Sequence, residues 1–441
     1  MTLGLLMSLL AAFALQGAEP RPKPIEYKEA VLPNGLRVVT NEDHSTPVVN
    51  VQVWYHVGSK DERAGKTGFA HLFEHLMFKG SANVEPEEHS KIVTNAGGQS
   101  NAYTTDDVTV YWETVPSNYL EKVLWLEADR MASLNVSDAN FQQEREVVKE
   151  ERRTRVENPP YGDMIELLYR NAFDVHPYKH ITIGSMEDLN AATTADVREF
   201  YQIYYVPDNA TLAISGDFKH EQALELVKKY FGDIPRGKKP VPRIDAVEPP
   251  HTKERRLSVQ KAVPLPAYVA GYYVPEDGHP DYYALTIASS ILSDGRSSRI
   301  YQSLVYDKQL AIEAQAGGNF SEDPNLFFAF LILNRGASME EAERALNTEF
   351  ARMMNEPVSD AEMTKAKNKM RSQFTFGRQS VQEKAGALAH SAVIHGDTAA
   401  TNTEYDLFMK VTKDDVLRVA KKYFQPENRT VLIVTPMQGG Q

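Results

Sequence analysis

Apolar and polar positions change period repeatedly along the chain, and each change marks an element. Residues 30–40 (AVLPNGLRVVT) set Asn34-Gly35 between two apolar runs, which predicts a hairpin closed by a turn that tolerates positive φ. Residues 48–57 alternate apolar with polar, as a half-buried strand does. That alternation breaks at 68–78 (GFAHLFEHLMF), where Phe69, Leu72, Phe73 and Leu76 recur at helical spacing. Residues 103–115 predict one further strand, preceded by Gly97-Gly98 and Asn101. Residues 118–134 and 139–155 predict helices, the second carrying the charge-dense stretch 144–157. Strands and helices interleave in both halves, so the expected fold is α+β, built of α/β sandwiches with mixed sheets.

Two distant segments read alike. Asp196-Val197 through Tyr204-Tyr205 and on to Asn209 returns as Asp415-Val416 through Tyr423-Phe424 and on to Asn428, both shifted by 219 residues (196 to 415, 209 to 428). Each copy predicts a helix ending at an aromatic pair, a proline-containing turn and a buried strand, 210–214 or 430–434. A period this long implies duplicated domains, since solenoid repeats are much shorter. Residues 235–250 (PRGKKPVPRIDAVEPP) lack periodicity and are rich in proline and charge. The expected units are therefore 25–235 and 252–437, with 236–251 as linker.

Composition narrows the function. A net charge of −12 argues against nucleic acid, whose phosphates demand a basic surface. The absence of cysteine rules out disulfides and thiolate ligands, so a metal site must use imidazole and carboxylate. Residues 1–20 carry an apolar run from Leu3 to Leu15 followed by small residues, the pattern of a signal peptide without a basic start. The run is too short to span a bilayer comfortably. Export, to a bacterial periplasm, is the expectation; a buried N-terminal helix and a retained interfacial anchor are the alternatives.

Residues four apart share a helix face, so His71 and His75 can offer two imidazoles to one ion, with Glu74 beside them. The arrangement H-x-x-E-H is the inverted zinc motif, in which the histidines are ligands and the glutamate handles protons. The alternative is a pair of satisfied histidines beside a solvated glutamate. Against it, two imidazoles on an otherwise apolar helix need partners, which one metal supplies. A third protein ligand is required.

At this point the chain resembles the pitrilysin and insulinase family of zinc metallopeptidases, especially the zinc-bearing chain of two-subunit bacterial members and the beta subunit of mitochondrial processing peptidase. The resemblance covers nearly the whole chain after the leader. It rests on LPNGLRVV, GFAHLFEHLMFKG, GGQSNAYTTDDVTVYWETVP, QEREVVKEERRTR, HPYKHITIGSMEDL and SDGRSSRIYQSLV, in the family's order. It implies two similar α/β domains forming half of a clam-shell chamber, one zinc ion per chain and peptide-bond hydrolysis with Glu74 as general base. The third ligand it implies is a glutamate on a later helix with another glutamate seven residues earlier, which Glu151 and Glu144 satisfy. Glu150 competes for that role but lacks the seven-residue partner. Glu144 is then expected to accept a hydrogen bond from a ligating histidine.

The same resemblance makes residues 101–105 (NAYTT) the edge strand onto which a peptide adds, with Asn101, Ala102, Tyr103 and Thr104 as binding residues; an interior strand is the alternative. His56, His176, His180 and Asp106-Asp107 are assigned no catalytic role. Single-chain members carry, in their second half, an arginine and a tyrosine seven residues apart that stabilise the transition state. Here Val305 and Ile312 stand in those places, with Tyr306 a weaker donor nearby. A related partner chain supplying Arg and Tyr is therefore expected, a homodimer being the alternative. A non-catalytic scaffold or peptide-binding subunit is the competing function, which an intact His71, Glu74, His75 and Glu151 set argues against.

Overall fold

The computed structural model describes residues 21–437, so the expected leader at 1–20 lies outside them. The first sheet has six strands: β1 (Lys28–Val31), β2 (Arg37–Glu42), β3 (Val48–Tyr55), β4 (Gln99–Thr104), β5 (Thr109–Pro116) and β6 (Ala210–Gly216), in the order β1-β2-β6-β3-β5-β4. The second has five: β7 (Arg255–Lys261), β8 (Ala267–Val274), β9 (Ala311–Gly318), β10 (Asn325–Leu333) and β11 (Arg429–Pro436), in the order β7-β11-β8-β10-β9. β2 runs parallel to β6, and β7 to β11; every other pairing is antiparallel. Removing β1 makes the two topologies identical.

The internal repeat falls where both copies solve one problem in the same way. Thr193 and Asp196 form a capping box at the start of the Thr194–Tyr204 helix, as Thr412 and Asp415 do for the Lys413–Tyr423 helix. Past each helix an asparagine fills the turn: Asn209 Nδ2 donates to the Tyr204 carbonyl and Asn428 Nδ2 to the Tyr423 carbonyl, both at 2.8 Å. The hairpin expected at 30–40 forms, with β1 on β2.

The single strand expected over 103–115 is two strands. Thr105, Asp106 and Asp107 turn the chain, because the Thr105 hydroxyl accepts from the Asp107 and Val108 amides at 3.1 and 3.0 Å. β4 thereby folds back on β5 and becomes the edge of its sheet. The helix expected at 118–134 spans Leu120–Ser133. That expected at 139–155 spans Asp138–Arg152, capped by the Ser137 hydroxyl, and widens into an i→i−5 turn over Arg153–Glu157.

One face of the first sheet packs on its own helices, burying Val49, Val51, Val53 and Tyr55. Its other face is covered from the second half: Ala385 and Ala389 of the Val381–Val393 helix lie on Trp54, Val110 and Ala213. The reverse also holds, since Met164, Leu168 and Tyr169 of the Met164–Ala172 helix pack on Val269, Leu326 and Leu432. Gly271 in β8 permits this approach: a Cβ there would stand 3.0 Å from Leu326 and 3.2 Å from Leu168. Each half thus lends one helix to the other's sheet. Among the described residues no helix is long and apolar enough to cross a membrane.

Candidate metal centre

The Phe69–Leu76 helix presents its apolar stripe to the core, where Phe69, Leu72, Phe73 and Leu76 are buried. Its start is held from outside the motif. Gly68 adopts φ +92°, and a Cβ there would meet the Ile183 carbonyl oxygen at 2.7 Å, so only glycine fits. The buried Glu62 carboxylate accepts from the Gly68 and Ala70 amides, both at 2.8 Å, satisfying donors that a helix start leaves free. Sequence spacing gave Glu62 no role.

With the stripe turned inward, His71, Glu74 and His75 face the Asp138–Arg152 helix. His71 Nε2 and His75 Nε2 stand 3.7 and 3.3 Å from one oxygen of Glu151. A tetrahedral ion with ligand bonds of about 2.0–2.1 Å separates its ligands by roughly 3.3–3.4 Å, so these spacings suit a shared metal. The three side chains bring one ligand atom each within 4.8 Å of one another. Glu150 points elsewhere: its side chain is 67% exposed and pairs with Arg153 at 2.8 Å, whereas that of Glu151 is 16% exposed.

Around this set, Glu144 places one oxygen 3.5 Å from His75 Nδ1 and the other 2.9 Å from Lys79 Nζ. Arg155 pairs with the second Glu151 oxygen at 2.7 Å. Burial, aided by the neighbouring His75 and Arg155 charges, pushes the His71 imidazole down to about 3, so it is uncharged near neutral pH. Burial works the same way on His75, but Glu144, Glu151 and Glu74 outweigh it and raise its pKa. Burial raises the Glu74 carboxyl above its ordinary value, opposed by a 2.8 Å hydrogen bond from the Thr104 hydroxyl.

Thr104 connects this centre to the sheet edge. Along β4, Ala102 and Thr104 face the motif helix side, while Asn101 and Tyr103 are exposed. Tyr103 sets its ring edge-on to Trp54 at 6.2 Å. In the second half, Val305 is half-buried, and Ile312 and Tyr306 are 55% and 67% exposed.

Of the residues given no catalytic role, His56, His176 and Asp107 join a latch between the halves. Buried Lys60 reaches Asp107 at 3.0 Å and both Glu322 and Asp323 at 2.8 Å. His56 Nε2 meets Glu322 at 2.6 Å, and His176 Nε2 lies 3.4 Å from Asp323. His180 lies 3.8 Å from Glu62, beside the helix start rather than the ligands.

The architecture recurs in known proteins. The family model described as Insulinase (Peptidase family M16) matches residues 37–185, and Peptidase M16 inactive domain matches 191–370. A curated relative, zinc protease PqqE of Helicobacter pylori, is 32% identical over 435 residues, covering 98% of this chain and 97% of its own. The chain belongs to the insulinase family of peptidases. Within that family, a probable mitochondrial-processing peptidase subunit beta of Arabidopsis thaliana is 24% identical over 422 residues, covering 94% of this chain and 79% of its own. The crystal structure of a protease from Helicobacter pylori superposes with a TM-score of 0.90 at 32% identity, over 95% of this chain and 100% of that one. Membership of the insulinase family, with relatives named as zinc proteases, makes this a metallopeptidase fold and zinc the metal its relatives imply.

Proposed function

We propose that this chain is a zinc endopeptidase acting on short or unfolded peptides. The observation that carries the reading is the convergence of His71 Nε2, His75 Nε2 and a Glu151 oxygen beside a Glu74 carboxyl hydrogen-bonded to the edge strand. His71, His75 and Glu151 would hold the ion, with Glu144 orienting His75 through its Nδ1. Zinc in such a site lowers the pKa of a water and polarises a carbonyl.

Glu74 takes a proton from the attacking water and passes it to the leaving amine. Burial raises its pKa, the direction that helps it hold the proton it has taken. An extended peptide would add to β4 along Asn101, Ala102, Tyr103 and Thr104, where edge-strand amides and carbonyls bind backbone with little regard for sequence. Thr104 then sets the register, because its own hydroxyl already fixes Glu74.

Val305 and Ile312 offer no donor to an oxyanion. A related chain supplying Arg and Tyr therefore completes the site, and residues 1–20 direct export to the periplasm. Hydrolysis of an unstructured peptide by this chain and by its Glu74→Gln variant, each alone and mixed with a related partner chain, tests the reading. The variant should keep zinc and lose nearly all turnover; near-normal turnover would sink it.

A further inference from the structure

Away from that centre, a second group of side chains brings two imidazoles and a carboxylate to one point. Asp277 lies in the loop between β8 and the Pro280–Ser293 helix, His390 near the end of the Val381–Val393 helix, and His395 in the turn beyond. His390 Nε2 stands 3.3 Å from one Asp277 oxygen and His395 Nε2 3.3 Å from the other, with ring centroids 5.3 Å apart. The three ligand atoms lie within 4.8 Å of one another.

Some histidine–carboxylate pairs in this chain close to hydrogen-bond distance, His44 to Asp217 and His56 to Glu322 both spanning 2.6 Å, whereas others, such as His176 to Asp323 at 3.4 Å, stay open. Here Asp277 Oδ1 and His395 Nε2 are buried and face each other at 3.3 Å, without the alignment of a good hydrogen bond and with no other protein partner. Buried polar atoms rarely stay unpaired, and a separation of 3.3 Å is that of two ligands on one ion. The side chains of Asp277 and His395 are only 8% and 11% exposed. Gly278, at φ +80°, brings the loop so close that a Cβ would stand 3.3 Å from the His395 ring. His390 and Glu404 line a neighbouring cavity of about 470 Å³, which gives an ion a way in.

Another grouping, His89 with Glu113 and Glu127, also leaves buried atoms unpaired, but it already holds its own counter-charge. Arg130 already neutralises its carboxylates, 3.1 Å from Glu113, and all four side chains are sealed in the core.

We propose that Asp277, His390 and His395 form a second divalent-metal site, distinct from His71, His75 and Glu151. Two imidazoles with one carboxylate select a transition ion of the zinc or nickel class over calcium or magnesium, which prefer all-oxygen shells. Its place in the fold suggests what it does. His390 sits on the helix lent to the first sheet, ring edge against Trp54 at 6.2 Å, so an ion here ties that helix to a loop of its own half.

The test is metal content. The full chain, dialysed against zinc chloride alone, is compared by elemental analysis with its His390→Ala and Asp277→Asn variants. Each variant should hold about one equivalent less than the parent. Asp277→Asn preserves side-chain volume, and far-ultraviolet circular dichroism confirms that it is folded. A second measurement uses the Glu151→Gln chain: zinc should still raise its Tm, and adding His390→Ala should abolish that rise. Equal zinc content in parent and both variants, or a zinc-induced rise in Tm that survives His390→Ala, overturns the proposal.

Discussion

The Thr104 hydroxyl donates a 2.8 Å hydrogen bond to the Glu74 carboxylate, so one side chain of the sheet edge restrains the proposed general base. That bond favours the ionised form of Glu74. Thr104→Val should therefore raise the Glu74 pKa, and the acid limb of the kcat/KM profile should move to higher pH. Hydrogen bonds to charged groups contribute about 1.5–3 kcal/mol, so kcat/KM should fall clearly on the acid side of the profile and little above it. An acid limb that stays in place would separate Thr104 from the base.

Ligand identity can be read by zinc retention alone. His71→Ala and His75→Ala should abolish it, and Glu151→Gln should weaken it severely. Glu150→Gln should leave it intact, as expected of a carboxylate paired with Arg153 on the exposed face. Glu144→Gln should cost about 10–100-fold in affinity, since it removes only the group orienting His75. A reversed order for Glu150 and Glu151 would shift the ligand by one residue.

Glu62 supports the motif helix rather than the chemistry. In Glu62→Gln an amide NH₂ replaces one of the two oxygens accepting from Gly68 and Ala70, leaving buried donors face to face. The expected loss is about 1–3 kcal/mol, measured by thermal unfolding of the metal-free chain. An unchanged Tm would show that the helix start does not depend on this cap.

The latch between the halves should respond to acid. Burial opposes the charge on Asp323, but His176 and Lys60 outweigh it and hold its carboxyl down, at about 2. Because the folded-state value lies below the unfolded one, the stabilisation is complete above about pH 4 and fades as pH falls towards 2. Asp323→Asn should be less stable than the parent at pH 6, with the difference shrinking across that window. A pH-independent difference would contradict the linkage.

Completeness of the site is tested by dilution. Purified alone, the chain should hydrolyse peptides poorly, because Val305 and Ile312 replace the expected Arg and Tyr. Loss of a single oxyanion donor costs about 100- to 1,000-fold, so a related partner should raise the rate at least about tenfold. Val305→Arg with Ile312→Tyr should recover a small part of it. Full activity of the pure chain at high dilution would point instead to Tyr306 or another donor.

Local information made much of this legible. The 219-residue repeat could be read because Asn209 and Asn428 close the same turn within a few residues of their partners. The motif helix could be read because its stripe and its histidines share one period. The turn at Thr105 to Asp107 lies in the polar run Thr104-Thr105-Asp106-Asp107, which breaks the alternation and which the single expected strand passed over. Lys60 and Asp277 were illegible for a different reason: Lys60 meets Glu322 across 262 residues, and no spacing rule links Asp277 to His390. The Met164–Ala172 and Val381–Val393 helices carry apolar faces, but a face does not name the sheet it will cover.

The lent helices make the two halves one cooperative unit. A fragment ending in the proline-rich connection would expose the Trp54, Val110 and Ala213 face of its sheet and leave the Met164–Ala172 helix without a surface to bury against. Neither fragment is then expected to fold alone, although a protease that nicks the connection should leave the halves associated. The duplication evident in the sequence is thus no longer a pair of separable modules: it behaves as an internal, single-chain version of a domain-swapped dimer.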